Sequence, residues 1–223
     1  MKITQENYIK SLIEEGEHIH QDFKFAISDA RKIAKSISAF ANTEGGRLLI
    51  GVKDNGKIAG VRSDEEVYMI DAAANMYCIP QVEVSSKIYK IEGKDVLEII
   101  IPECNNKPIY ALDENNRKWA YVRIKDENIL ADTVYLNRWK HNKKEENVVV
   151  TYSEKEQHLL NILSEKGELT LNQCSKLSKI TRIDTSKLLA DFIRFDLVEQ
   201  IFRNHTFFFR IKDDKENIIG GNL

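Results

Sequence analysis

Three cysteines in 223 residues, Cys78, Cys104 and Cys174, are odd in number and too widely spaced for a disulfide framework or a zinc site, and read as reduced structural thiols. No stretch approaches the roughly 20 apolar residues that cross a bilayer, and the first residues lack a basic segment followed by an apolar one. No span and no secretory leader are therefore expected, and the chain reads as cytoplasmic. Internal repeats and low-complexity tracts are missing as well. So is a strong excess of positive charge: 33 Lys and Arg against 35 Asp and Glu leave −2, which does not advertise nucleic-acid binding yet leaves room for a basic face. What remains, 42% hydrophobic and 30% charged residues, is the balance of a globular chain able to bury a core.

The densest stretch runs from Ser38 to Gly60. It reads as the end of an apolar helix, a polar turn closed by Gly45 and Gly46, a buried strand, and an Asp54-Asn55-Gly56 hairpin turn. Its glycines fit plain scaffolding, with Gly45 ending the helix and Gly56 making the hairpin, or a backbone that approaches a ligand.

Ahead of it, Tyr8, Ile9, Leu12 and Ile13 have helical spacing and Gly16 stops that helix. Residues 17 to 25 alternate, with Ile19, Phe23 and Phe25 on one side, which predicts a half-buried strand. Ser28 then caps a helix to Asn42, its Arg31, Lys32 and Lys35 turned outward. Further on, Ser63 to Glu66 form a capping box for a helix to Asn75, Pro80 breaks it, and strands at 82–89 and 95–101 make a hairpin. Short strands at 107–110 and 120–124 and a helix over 132–140 close an α/β domain.

The all-polar run 141–150 suits a linker. After it, a capping box at Ser153, a helix ended by Gly167, a short helix through Leu177, a third starting at Asp184 or Thr185, and an alternating strand pair at 198–211 follow the order of a winged helix-turn-helix over 151–212. Residues 213–223 are expected to form a frayed tail.

Three places hold candidate chemistry. Glu17, Asp22 and Asp54 are able to converge if their strands pair, and converging carboxylates favour a hard cation such as Mg²⁺ or Mn²⁺; they are equally ordinary surface acids. The turn of Asn42, Thr43, Gly45 and Gly46 offers amides to a phosphate or nucleotide, although it lacks the Gly-Lys-Ser/Thr of a P-loop. Arg182, Ser186, Lys187 and Arg194 flank or lie on the third helix of the carboxy-terminal module and Arg203 lies in its wing, placed to meet DNA. Ten Lys and Arg against eight Asp and Glu give that module only +2, and such modules also serve as protein-interaction units. His18 and His20 read as surface histidines, and Phe207, Phe208 and Phe209 as a wing strand burying alternate aromatics.

The run Ala39-Phe40-Ala41-Asn42-Thr43-Glu44-Gly45-Gly46, with Leu49-Ile50-Gly51-Val52 and Gly56-Lys57-Ile58-Ala59-Gly60 behind it, closely resembles the Schlafen-type Alba-like domain. Glu17 with Asp22-Phe23-Lys24, Lys107-Pro108-Ile109-Tyr110 and Tyr121-Val122-Arg123 extend the likeness over about residues 5 to 140. The resemblance implies a mixed α/β nucleic-acid-binding domain, found in bacterial proteins labelled transcriptional regulators or ATP-binding proteins and frequently followed by winged helices. In Schlafen members that cleave structured RNA, the three acidic residues are metal-binding and catalytic, and the resemblance places them on Glu17, Asp22 and Asp54; in a nuclease reading of this chain, Lys24 or Arg123 would steady phosphate charge. Asp22 stands where the motif has Glu, which withdraws its carboxylate by about 1.3–1.5 Å. The resemblance further implies a homodimer, because Schlafen nucleases pair two lobes and this chain has one. The expectation is a DNA-binding transcriptional regulator, with a metal-dependent nuclease acting on tRNA-like RNA or a nucleotide-binding regulator as alternatives.

Overall fold

The computed structural model describes residues 4–61, 65–141 and 153–212. It divides into two compact units, Met1–Ala131 and Asp132–Leu223.

The first unit is a mixed α/β fold around one central helix. Helix α1 (Gln5–Glu15) is capped by Thr4, lays Ile9 and Leu12 inward, and ends at Gly16, whose φ of 76° suits glycine. Strand β1 (Gln21–Lys24), helix α2 (Ala30–Asn42) and strand β2 (Gly46–Ile50) make a crossover unit in which β1 and β2 are parallel. Helix α3 (Glu65–Asn75), β3 (Cys78–Ile79), β4 (Ser85–Ile91), β5 (Lys94–Ile101), β6 (Tyr110–Leu112), β7 (Lys118–Ile124) and β8 (Glu127–Leu130) complete it. The strands form two four-stranded sheets, ordered β1-β2-β5-β4 and β3-β6-β7-β8. Leu48, Ile50, Leu97, Ile99 and Ile101 share a core with Ile33, Ile37 and Phe40 of α2, whereas Phe23, Leu49, Tyr89 and Val96 share a second core with Ile9 and Leu12 of α1. Helix α2 also packs on β6 and β7, so every residue from Ser36 to Asn42 is buried. A helix enclosed on so many sides must be small or apolar throughout, which is why Ser38, Ala39 and Ala41 surround Phe40.

Several expectations change. The strand expected over 17–25 shrinks to four residues, because His18 and Gln21 exchange backbone hydrogen bonds of 2.9 and 3.1 Å and fold the chain back. Burial does not alternate along it: Gln21, Asp22 and Phe23 are all buried, and Phe25 lies outside with Lys53 5.3 Å over its ring. The cap of α2 is Asp29, whose Oδ1 accepts the Arg31 amide at 2.8 Å, rather than Ser28. Strand β8 was not expected at all. The box starting at Ser63, the linker beyond His141 and the tail from 213 lie outside the described residues.

The second unit begins with α4 (Thr133–His141), which was expected to close the first. It packs instead on α7 (Arg182–Arg194), burying Val134 with the core formed by α5 (Glu154–Lys166), α6 (Leu171–Ser178), α7 and the antiparallel hairpin of β9 (Val198–Arg203) and β10 (Thr206–Ile211). Helix α5 carries the expected capping box of Ser153 and Glu156, and Gly167 ends it. Helix α7 starts earlier than expected because the Thr181 hydroxyl accepts the Asp184 amide at 3.1 Å. On β10, Phe209 is fully buried while Phe208 faces Arg203, whose guanidinium lies 5.2 Å from the ring centre.

Candidate functional site

The turn after α2 serves packing. The amides of Thr43 and Gly45 both donate to the Phe40 carbonyl, at 3.0 and 2.9 Å, and so do not point at a ligand. The Asn42 side chain, 3% exposed, donates to the carbonyls of Ile109 and Tyr121 and accepts the Ile109 amide. Thr43 donates its hydroxyl to Ala39 and accepts the Arg123 amide at 2.8 Å. A Cβ on Gly45 would stand 2.8 Å from the Glu103 nitrogen, and one on Gly46 would stand 2.5 Å from the Phe40 ring. These glycines admit neighbouring backbone and the Phe40 ring, and the expected phosphate cradle is not formed.

Glu17 and Asp22 do meet. Glu17 Oε1 accepts the Phe23 amide at 2.8 Å; partial burial, then a hydrogen bond with the Asp22 carboxyl, push its pKa up. Asp22 is buried on β1 and held by two cations, Lys24 Nζ 2.6 Å from Oδ2 and Arg123 Nη2 3.4 Å from Oδ1. The Lys24 contact is a close ion pair without the direction of a hydrogen bond, and Lys24 also donates to the Phe23 carbonyl at 2.8 Å.

Asp54 does not join them. Asp22 is in register with Leu48, and Asp54 lies beyond the end of β2 on an exposed turn that follows Gly51. Among the described residues no three His, Cys, Asp or Glu side chains form a group suited to a metal. The residues present therefore do not fit Mg²⁺ or Mn²⁺: the charge of Asp22 is already balanced from within the chain, and the third expected ligand is elsewhere.

Arg123, expected to meet phosphate, is 2% exposed. Its guanidinium donates to the Gln21 carbonyl at 3.1 Å and to Asn128 Oδ1 at 3.0 Å, and lies 4.9 Å from the centre of the Phe40 ring. All of its donors face protein, so it binds β1, α2 and β7 together and has no face left for nucleic acid.

A carboxylate that sequence reading passed over is buried nearby. Glu98 accepts hydrogen bonds from Tyr8 at 2.8 Å and Tyr89 at 3.1 Å and pairs with Arg47 at 3.4 Å, fastening α1 to the sheet. Burial, and then that carboxylate, push the Tyr89 hydroxyl up to about 12. Its only sequence signal was a single acid inside an apolar strand.

In the second unit, Arg182 and Lys187 are exposed on α7, with Lys187 3.6 Å from Asp184. Ser186 is not available to read a base. It is 3% exposed, and its hydroxyl donates to the Ile183 carbonyl and accepts from Asn137 of α4 at 3.0 Å. Arg194 is partly buried beside Asp191 at 3.6 Å, and Arg203 pairs with Glu168 at 2.6 Å.

Residues 17–132, just over half of the chain, match the family model described as Schlafen, AlbA_2. No curated protein matches. Among solved structures, the DIP2311 protein of Corynebacterium diphtheriae is similar at 20% identity over 66% of this chain, with a TM-score of 0.42; the match spans 30% of that protein. The N-terminal domain of a RecG-related protein from Nitrosomonas europaea is similar at 19% identity over 69% of this chain and 98% of its own, with a TM-score of 0.40. No helix among the described residues is long and apolar enough to cross a membrane.

Proposed function

From the premise that this chain belongs to the Schlafen, AlbA_2 family, we propose that it is a nucleic-acid-binding protein, and specifically a DNA-binding transcriptional regulator whose second unit acts as a winged helix-turn-helix. The observation that carries the reading is the join between α6 and α7. Three residues, 179 to 181, connect the two helices, Lys179 takes the left-handed conformation with φ 58°, and the β9–β10 hairpin follows. Helix α7 is the recognition element, with Arg182, Lys187 and the 69% exposed Ile183 at its outer amino-terminal end. An apolar side chain there is suited to a thymine methyl, and the cations to backbone phosphate.

The acids beside these cations set the strength of the interaction. Exposed pairs such as Lys187 with Asp184 contribute at most about 1 kcal/mol, so a phosphate displaces them at small cost. Affinity is expected to be moderate and steeply dependent on salt. The reading includes a homodimer, for which β4 offers an open sheet edge; light scattering that gives a monomer mass at working concentration removes that part alone.

The test is duplex binding by the Arg182→Glu/Lys187→Glu variant, followed by anisotropy across salt concentrations. A loss of at least about tenfold and a salt slope lower by about 2 are expected. Unchanged affinity and slope overturn the assignment of α7.

A further inference from the structure

The first two turns of α2 carry Arg31, Lys32 and Lys35, and among the described residues none of the three enters an ion pair. Arg31 lays its guanidinium 4.4 Å over the Tyr77 ring, while its Nε is buried with no acceptor. These cations line one side of an open cleft of about 220 Å³, and the turn 113–115 lines the other. Three acids stand at its margin, Asp29, Asp113 and Glu114; Glu114 is exposed, and the other two are turned onto the chain itself. Asp29 caps the Arg31 amide, and Asp113 accepts from the Asn115 and Arg117 amides at 2.8 Å and from the Trp119 indole at 3.0 Å. The indole bond, first among these, holds the Asp113 carboxyl below the usual carboxylate range, so it stays an acceptor that fixes the ring.

Trp119 stands at the margin of the cleft, tied to it through the Asp113 carboxyl. The Tyr121 amide meets Ser38 Oγ and the Arg123 amide meets Thr43 Oγ1, so β7 and α2 advance side by side in one direction. With a strand rise of about 3.3 Å and a helix rise of about 1.5 Å per residue, one step of two residues back along β7 sets Trp119 level with about residue 33 of α2. It shares the α2-facing side of β7 with Tyr121 and is 39% exposed.

The geometry points to this cleft as the seat of a single nucleic-acid strand on the first unit, with Arg31, Lys32 and Lys35 taking backbone phosphates and the Trp119 ring stacking an unpaired base. This rests on the proposed nucleic-acid function. It supplies the contact surface that Arg123 and the 42–46 turn do not, since those groups are committed to the interior, nor Lys24, which is partly exposed but paired with the buried Asp22. An exposed indole fixed at its nitrogen offers a rigid face, and only an unpaired base has a face free to meet it.

The experiment is anisotropy with the full chain and a labelled short thymidine strand at several salt concentrations, with thermal midpoints matched between variants. Lys32→Glu/Lys35→Glu is expected to weaken binding at least about tenfold and lower the salt slope by about 1.4, two single-strand phosphate contacts. Trp119→Ala is expected to lose about tenfold with the slope unchanged, and Trp119→Phe to keep most of the affinity. Lys166→Glu, an exposed change on α5 outside both proposed surfaces, leaves single-strand binding as it was. If wild type binds the strand and the cleft variants bind it equally well, the site is overturned and the nucleic-acid function stands. Binding of duplex alone also overturns the site. If wild type binds neither strand nor duplex, function and site fall together.

Discussion

Asn42 and Ile109 hold each other at two points: the Asn42 amide donates to the Ile109 carbonyl at 2.8 Å, and its oxygen accepts the Ile109 amide at 2.7 Å. A side-chain amide here imitates the pairing of a strand, and joins the end of α2 to the segment entering β6.

Replacing Asn42 with Ala leaves the Ile109 amide and the Tyr121 carbonyl without partners in a buried site, while Ser38 still serves the Ile109 carbonyl. Loss of roughly 2–4 kcal/mol is expected in urea unfolding, with an unchanged slope. Asn42→Asp restores the acceptor but not the donors, and is expected to lose about as much, because it also buries a charge.

Gly45→Ala meets two obstacles, a φ of 70° and a Cβ 2.8 and 2.9 Å from the backbone atoms of Glu103 and Ile101. Destabilisation of at least about 2 kcal/mol is expected. Because the amides of this turn face Phe40, nucleotide added in excess is expected to leave the thermal midpoint of wild type unmoved; a rise of several degrees would restore the phosphate-cradle reading.

Arg123→Met strips Asp22 of its buried guanidinium and leaves the Gln21 carbonyl without that donor. A cost of about 3–5 kcal/mol is expected. In the double variant Asp22→Asn/Arg123→Met the uncompensated charge is gone, so a substantial part of the loss is recovered; strict additivity of the two single changes would show that the pair is not coupled. Arg123→Lys is expected to rescue poorly, having no planar fork for Asp22, Gln21 and Asn128 together.

Glu17 gives a pH dependence of known sign. Its carboxyl is held above its ordinary value by partial burial and then by Asp22, so the folded state binds its proton more tightly than the unfolded chain does. That contribution to stability is fully present below the ordinary Glu pKa and is lost as pH rises through the raised one. Glu17→Gln keeps the acceptor for Phe23 and removes the titration. Denaturant midpoints are expected to favour the variant slightly at neutral pH, by less than about 1 kcal/mol after solvent screening, with the advantage vanishing in acid. A variant less stable than wild type at neutral pH would show that the Glu17 charge, not its proton, is the favoured state.

How far the sequence could be read depended on the distance between partners. Helix α1, the β4–β5 hairpin and the α5 capping box are set by residues a few positions apart, and periodicity and caps located them. Strand β8 was passed over because Glu127 and Asn128 break the apolar pattern, and it exists because β7 is there to pair with. Lys32 and Lys35 had a signal in cations crowded on one helix, but it looked the same as an ordinary solvated face. Nothing local to Ser186 revealed that Asn137 of α4 covers it, and nothing local assigned α4 to the second unit rather than the first.

By itself the sequence determined the α/β class, local elements such as α1, the β4–β5 hairpin and the α5 capping box, and the Ala39–Gly46 run through which the resemblance was read, because each is written in short-range spacing. Only the tertiary structure decided which charges are usable. Asp22 and Arg123 lie 101 positions apart in a chain with dozens of acids and bases, and no spacing rule pairs them. Burial does, since two opposite charges removed from water must find each other, and that pairing turns an expected metal ligand and an expected phosphate contact into parts of the interior.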